Sequence, residues 1–534
     1  MLIAQNSVIM KKLLYLALFI AAVSAGCIKK GDLSFKNIQV DNWQPDWALP
    51  IINSRLTLKN ILPNNATISE DASGLYSLHY GSSLFYARAS DFIVIPDQNY
   101  NMPATPLSIP QSIPSFSASI TDSSSGHFTY TDTSGAQLAH IAVKMGSISI
   151  HVASTFRQNV SVTMLFPTIT QNGVPLQLTT PIAYPTTNAN LGAELAGYSI
   201  DLTNGNTTKN YIPYKIRFTV TGTGQPITSG DNVAATVAMA GLKYSFIDGF
   251  IGHFNIPVSG DTIQVGVFNN TLSANIYLRN PKINLTFKNS MGMGVFADFD
   301  HIFGLTNSGT RVDLTLPSIA VAGPTAPGQY LSSSYTLDST NSSVQSMFNP
   351  APNQVVYNGR IAVNPVTSTT YNFVTDSSFL TLSADAELPA WFKIIDFSVQ
   401  DTLPLTLATD TSILQKAQFK LLMDNALPLY GRVQLYFVDA GYHIIDSLVS
   451  SGGDIISEAP VDAEGKVTGH TQKVSTFVLE HNKYNAMAPL VKYAFIRGNL
   501  KTSGINKDIK IFSADNLVVK LAFRFTLNAS TTNL

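Results

Sequence analysis

Charge is scarce in this chain: Asp, Glu, Lys and Arg make up 13% of its 534 residues, about half the ~25% of an ordinary soluble domain. The 33 basic and 34 acidic side chains nearly cancel, and no Lys/Arg run forms a phosphate-binding stripe outside the leader. A nucleic-acid partner is therefore not expected, since backbone phosphates need concentrated positive charge. Cysteine is scarcer still. Cys27 is the single one, so the chain can form no internal disulfide. Nine histidines are scattered without an HExxH pattern, and neither a Gly-x-Ser-x-Gly elbow nor a phosphate-cradling glycine loop occurs. No cofactor and no enzymatic activity are expected from such a sequence. What it has in place of charge is Ser, Thr and Asn, which solvate a surface through hydroxyls and amides.

The N-terminus reads as an export leader. Lys11 and Lys12 precede the apolar run Leu13 to Val23, which is too short to rest across a bilayer as a permanent helix. Met10-Lys11-Lys12 is the expected start of translation, because Met1 to Ile9 adds only an uncharged stretch. Ser24-Ala25-Gly26-Cys27 then resembles the lipobox of bacterial lipoproteins in the relaxed form of Bacteroidota, with Ser24 where leucine is usual. That resemblance implies that residues 1–26 are a removable signal peptide and that Cys27 is the lipidated N-terminus, an anchor needing no transmembrane helix. Ile28 replaces the aspartate that would hold a lipoprotein at an inner membrane, and Ile28-Lys29-Lys30-Gly31 lacks the acidic mark of surface export. The expected location is the outer membrane, with periplasmic and surface-facing orientations both open.

Beyond the leader the chain alternates. Leu517, Val519, Leu521, Phe523, Phe525 and Leu527 recur every second residue, a period that puts them on one face of a strand and all round a helix. The helical candidates are short: Leu58 to Leu62 behind Thr57 as N-cap, and Asn485 to Tyr493, which Pro489 interrupts. The expected fold class is all-β, several β-sandwich (immunoglobulin-like) domains in a row with few short helices.

Three stretches echo one another as strand, Asn-containing break, strand. They are Ile148 to Phe166 around Arg157-Gln158-Asn159, Leu272 to Phe287 around Arg279-Asn280-Pro281, and Ala417 to Phe437 around Asp424-Asn425. Either they are true repeats or an all-β chain yields them by chance. With the turn-rich segments between them, they suggest an N-terminal anchor and first β region at 27–135, sandwiches at 136–250 and 251–390, and a C-terminal sandwich at 391–534. Within the last, Asp462 to Lys466 reads as a hairpin turn around Gly465.

Asp41 to Pro50, with Trp43 and Trp47, together with Asn425-Ala426-Leu427-Pro428-Leu429 and Phe437 to Gly441, resembles a group of uncharacterised Bacteroidota outer-membrane lipoproteins. Trp43 and Trp47 are the candidate ligand-binding residues, stacking on sugar rings, or else they latch a linker onto the first sheet. Asp298-Phe299-Asp300-His301 is the densest polar spot. Asp298 and Asp300 on one strand face could share a cation, or they could close the strand ahead of a turn; no metal site is assigned, and these two are the weak candidates. Asp410, Asp424, Asp439 and Asp446 are dispersed carboxylates of the sort a glycosidase would need. Asp261-Thr262-Ile263, Asp338-Ser339-Thr340, Asp401-Thr402-Leu403 and Asp446-Ser447-Leu448 resemble the Bacteroidota periplasmic O-glycosylation pattern. The expected function is a lipid-anchored, non-catalytic cell-envelope protein with a structural or binding role, its partners being the membrane and an unidentified envelope protein, glycan or lipid. The alternatives are a secreted carbohydrate-active hydrolase and a lipid-binding envelope protein. Ser/Thr-covered sheet faces would favour the binder, and opposed carboxylates in an aromatic-lined groove the enzyme.

Overall fold

The computed structural model describes residues 46–61, 67–109, 111–265, 271–364, 371–404, 414–447, 455–504 and 507–527. Among them the chain is all-β, with its strands in five antiparallel sheets and helices of at most seven residues. The two helical candidates are met in part, Leu62 lying outside the described residues and only Asn485 to Met487 of the second stretch being helical. The first is Leu58–Ile61; the second is His481–Met487, shifted toward the N-terminus because Pro489 cannot supply the backbone N–H that a further turn needs. Asp462 to Lys466 is the expected turn, with Gly465 at φ +81° and the Asp462 N–H bonded to the Lys466 carbonyl at 2.9 Å.

The largest sheet has eleven strands and is organised by the two longest, Gln137–Ser154 and Asn232–Phe250, which pair along most of their length. Alternation explains its burial. Ile148, Ile150 and Val152 are buried with Val160, Val162, Met164 and Phe166 of Asn159–Gln171 and Ile216, Phe218 and Val220 of Tyr211–Thr221. Each such side chain contributes roughly 1.5–3 kcal/mol. The same continuous core runs on through Leu285, Phe287, Val295, Ile361 and Leu380.

The remaining sheets form two units of the same plan. In the first, sandwich A, one sheet has the order Thr67–Glu70, Tyr76–Arg88, Phe379–Pro389, Lys282–Asn289, Leu331–Leu337, and the other Phe254–Gln264, Gln354–Val363, Val295–Leu305, Arg311–Asp313. In the second, sandwich B, the orders are Asp46–Leu56, Leu517–Leu527, Leu414–Asn425, Thr471–Glu480, and Thr271–Leu278, Trp391–Pro404, Tyr493–Thr502, Leu429–Val438, Ile444–Ser447. With the edge strands Thr67–Glu70 and Thr271–Leu278 set aside, the two orders match position by position in sequence sense. Tyr76–Arg88 of A and Asp46–Leu56 of B are each followed by a four-residue helix, Ala89–Phe92 and Leu58–Ile61.

The corner where the chain leaves one sheet for the other repeats down to its hydrogen bonds. Asn289 is fully buried; its amide donates to the carbonyls of Met293 (2.9 Å) and Ala322 (3.2 Å), and its oxygen accepts from the Met291 N–H (2.9 Å). Asn425, also fully buried, donates to Leu429 (2.8 Å) and Ser457 (2.8 Å) and accepts from Leu427 (3.0 Å). The duplication does not follow the echoes: the break matching Asp424-Asn425 lies after Asn289, whereas Arg279 to Pro281 separates strand Thr271–Leu278, which pairs with Trp391–Pro404, from strand Lys282–Asn289, which pairs with Phe379–Pro389. The first echo lies in the eleven-stranded sheet, whose order is different.

The chain passes from the large sheet to sandwich A between Phe250 and Phe254 and from A to B at Ala390, but on the way it gives Thr271–Leu278 to a sheet of B and Asn372–Thr375 back to the large sheet, so the unit expected at 251–390 is not self-contained. The region expected at 27–135 is not one unit. Asp46–Leu56 completes sandwich B, Tyr76–Arg88 completes A, and Gln98–Asn101 and Ser119–Thr129 join the large sheet. Alternation reports which face of a strand is buried, not which distant strand it meets, so a sequential division could not anticipate this.

Candidate functional site

A cavity of about 830 Å³ opens between the large sheet and sandwich A, within the range of small-molecule pockets and at a junction of units where such pockets concentrate. Its floor is a defect in the two longest strands. Their pairing slips between Ala240 and Lys243 and twice more before Phe246, and Gly146 (φ +128°) and Gly241 (φ +63°) take backbone angles that other residues resist. A Cβ on Gly146 would come within 2.9 Å of the Leu242 Cα. Bulges bend strands and re-aim side chains; here Lys144, Met145, Lys243 and Tyr244 line the cavity.

The opposite wall comes from sandwich A: Tyr86 and Arg88 at the end of a strand, Ser90, Asp91, Ile93, Val94, Ile95 and Asp97 in and after the short helix, and Asp376 and Ser377 ahead of strand Phe379–Pro389. Polar groups fasten the two walls. Lys144 pairs with Asp376, and Asp97 accepts the Gly241 N–H at 2.8 Å. Asp91 is spent on the Arg88 N–H (3.2 Å), while the Arg88 Nε donates to the Tyr86 hydroxyl (3.0 Å). Tyr244 is 4% exposed and its hydroxyl has no hydrogen-bond partner; burial, with Asp376 and Asp91 adding to it, pushes that hydroxyl well above the ordinary tyrosine range. Three apolar side chains stand open at the rim: Tyr86 (57% exposed), Val94 (66%) and Met145 (54%). Tyr86 continues into an aromatic row with Phe379 (6.4 Å) and Tyr330, which lies 6.3 Å from Phe379.

The large sheet also presents an open polar face. Ser123 and Ser125, then Arg217 and Lys215, then Thr163 and Leu165, then Thr179 and Gln177 lie in register across four strands. Thr121 bonds Thr219 at 2.8 Å and Thr163 bonds Thr179 at 3.0 Å. Arg217 and Lys215 line a shallow cavity of about 300 Å³ that has no acidic residue in its lining.

Cys27 and Trp43 lie outside the described residues, as does Asp410. Trp47 is on strand Asp46–Leu56 and pairs with Phe525, so its segment is part of a sheet and not a linker. Asp298 and Asp300 neither end a strand nor start a turn: strand Val295–Leu305 runs through them. The pairing slips between Phe299 and His301, and both carboxylates meet Arg360, at 3.5 Å each. Among the described residues no group of three or more potential metal-binding side chains gathers. Asp424 pairs with His470 (2.6 Å), Asp439 with His443 (3.2 Å) and Asp446 with Lys483 (2.7 Å), so each of these carboxylates has its own local partner.

Two histidine constellations escaped sequence reasoning because their members are far apart in the chain. In the large sheet, buried Asp248 accepts from His140 (2.8 Å) and from Tyr371, whose hydroxyl is pushed up to about 12 by burial and by that bond. On an outer sheet of A, Ser69 Oγ lies 2.7 Å from His79 Nε2, and His79 Nδ1 lies 2.8 Å from Asp385 Oδ2. Hydroxyl, imidazole and carboxylate stand in the order of an acyl-transfer relay. Ser69, however, is exposed on a four-residue edge strand, Thr67–Glu70.

No family model matches the chain, and no curated protein does. Among solved structures, a Parabacteroides distasonis protein described as secreted is 13% identical, with a TM-score of 0.28, over 51% of this chain and 82% of its own. A structure of the Gx strain of infectious bursal disease virus is 8% identical, with a TM-score of 0.11, over 81% of this chain and 83% of its own. No family or activity follows from these likenesses.

Proposed function

We propose that this is an exported cell-envelope protein, lipid-anchored through Cys27 at the outer membrane, whose role is binding and not catalysis. The observation that carries the reading is the groove between the large sheet and sandwich A, an open cavity of about 830 Å³ with exposed Tyr86, Val94 and Met145 at its rim. Soluble monomers seldom expose several large apolar side chains together without a partner for them. The hydroxyl-covered face around Thr163, Thr179 and Thr219 adds to it, being the kind of surface a binder was expected to have. The leader, with Lys11, Lys12 and the apolar run before Cys27, supports export, and no described helix is long and apolar enough to cross a membrane. The dispersed Asp424, Asp439 and Asp446, each held by a separate partner, lend no support to a paired-carboxylate hydrolase.

The anchor is tested by fractionating cells that express the natural protein or a Cys27→Ala variant. The wild-type chain should partition with outer membranes and take up a labelled fatty acid; the variant should be soluble and unlabelled. The binding role is tested by introducing Val94→Trp, which fills the rim. A phenotype equal to that of the gene deletion, with the protein folded and exported, supports the groove as the working site.

A further inference from the structure

Directly opposed residues of antiparallel strands point to the same side of a sheet, so register decides what the outer face of a sandwich holds. The sheet of sandwich B that contains Asp46–Leu56 has five rows on its outer face. Asp46, Thr526, Lys416 and Glu480 make the first row, and Arg55, Val518, Asp424 and Gln472 the last. The three rows between them hold Arg524 opposite Gln418, Lys420 opposite Ala522, and Lys520 opposite Leu422, with no acidic residue. Arg55, Lys416, Lys420, Lys520 and Arg524 are all exposed. Five cations against three carboxylates leave two positive charges over even if every carboxylate is ion-paired. The chain as a whole has a net charge of -1.

Apolar side chains stand among these cations. Val474 is 51% exposed and Val478 42%, and Leu422 lies directly opposite Val474. Exposed aliphatic groups beside lysines suit the surface of a bilayer, whose phosphates meet the ammonium groups while the headgroup layer takes up the apolar ones. The tether supplies that bilayer. Asp46–Leu56 is an edge strand of this sheet, and Asp46 follows Cys27 by 19 residues, a span of at most about 60–70 Å when fully extended. We infer that this face of sandwich B docks on the anionic headgroups of the membrane that holds Cys27, with Lys420, Lys520 and Arg524 against phosphates and Val474 and Val478 in the headgroup layer. An acidic protein would meet the same charges, but the tether brings a membrane to the face and no protein. The inference rests on the lipid-anchored reading for its location and adds an orientation, with sandwich B lying on the bilayer.

The test uses the whole exported chain as Cys27→Ser, which has no acyl chain and no other cysteine. It is sedimented with vesicles of phosphatidylethanolamine and phosphatidylglycerol, or of phosphatidylcholine alone. Binding to the anionic vesicles should be at least about tenfold stronger, and it should fall steeply as ionic strength rises from about 0.05 to 0.5 M. Lys420→Glu combined with Lys520→Glu should reduce it to the phosphatidylcholine level. Lys215→Glu combined with Arg217→Glu makes the same charge change on the open face of the large sheet and should leave binding within about twofold. Equal losses in the two variants would mean that the vesicles sense net charge alone, which overturns the docking face. Orientation is read from an environment-sensitive fluorophore on Thr476→Cys, exposed between Val474 and Val478. Its emission should shift to the blue with anionic vesicles, and that of the same label on Ser123→Cys should not. Binding without the shift at Thr476 overturns the inference; so does an absence of binding, which would leave an acidic protein as the occupant. Neither result touches the anchor, which fatty-acid labelling of the natural chain decides separately.

Discussion

Sandwiches A and B share an eight-strand order and a buried asparagine at the corner, yet they differ in the charge set beside it. The residue before each asparagine shows this best. In A it is Lys288, whose ammonium lies 5.8 Å over the ring of Tyr330; in B it is Asp424, 2.6 Å from His470, and Tyr330 and His470 occupy matching places just ahead of their edge strands. Charge has reversed while the frame has stayed. The short helix after the first strand makes a similar point. Leu58 of B packs into a small core with Leu427, Ile509, Ile511 and Leu517, whereas the helix of A begins with buried Ala89 and leads into the groove wall. What the two units share is what folds them, and what they do not share is where function is to be sought.

The comparison is broken most severely at the corner. Asn289→Ala and Asn425→Ala each remove two donated bonds and leave the N–H of Met291 or Leu427 and two carbonyls unpaired. Each substitution should cost about 2–4 kcal/mol, measured by denaturant unfolding. A loss at one position alone would mean that the matching bonds do not carry matching weight.

A smaller effect should separate the cores. Sandwich A shares one continuous core with the large sheet, a core that among the described buried residues reaches B only through Ile276, Leu278 and Ile394, while Leu58, Leu427 and Leu517 of B belong to a second, smaller cluster that Tyr76 of A joins. B should therefore open first, with Leu517→Ala lowering an early transition and Leu380→Ala the main one, each by about 2–4 kcal/mol. Hydrogen exchange followed by mass spectrometry would read this directly: equal protection of strands Leu517–Leu527 and Phe379–Pro389 would show that the cores melt as one.

Smaller again is the pH response. The Asp424 carboxyl is held below the usual carboxylate range, first by its hydrogen bond with His470, and Gln472 adds to this. A carboxyl depressed in the folded state contributes stability that is present above its unfolded value, about 3.9, and is lost as pH falls through the lower folded value. Asp424→Asn should flatten the acid limb of stability for B, by a small amount because the pair is solvent-screened. Lys288→Ala in A should leave that limb unchanged, and thermal melts between neutral pH and about pH 3 would compare the two.

Strands were legible in the sequence, and the duplicated frame was not. Period-two alternation located Leu517–Leu527 to the residue. Asn425-Ala426-Leu427-Pro428-Leu429 and its twin Asn289-Ser290-Met291-Gly292-Met293 share only the asparagine and the apolar residues two and four places after it, too sparse a pattern to mark a repeat. Buried asparagines that close their own corners have that spacing for a physical reason: the side chain reaches the N–H two residues on and the carbonyl four residues on. The groove was harder. Lys144-Met145-Gly146 and Gly241-Leu242-Lys243 each interrupt an alternating run with a glycine, which is a bulge signal, but nothing local shows that the two interruptions lie opposite each other. The relay of Ser69, His79 and Asp385 joins residues 306 apart in the chain and had no sequence signal at all.

That relay gives the sharpest contrast for a binding role, since it exists in only one unit. The pairing that sets Asp385 opposite Asn284 in A sets Ala522 opposite Lys420 in B, so the carboxylate has no counterpart there. An acyl-transfer serine needs donors aimed at a developing oxyanion in a water-excluded site, and Ser69 lies exposed on an edge strand. The three side chains instead tie strands Thr67–Glu70, Tyr76–Arg88 and Phe379–Pro389 together across one face, as polar cross-strand partners do, each pair contributing roughly 0.2–1 kcal/mol. A fluorophosphonate probe should therefore leave Ser69 unmodified, and His79→Ala should lower the melting temperature slightly without changing that result. Covalent labelling of Ser69 that disappears in His79→Ala would make sandwich A catalytic and end the reading of this protein as a binder alone.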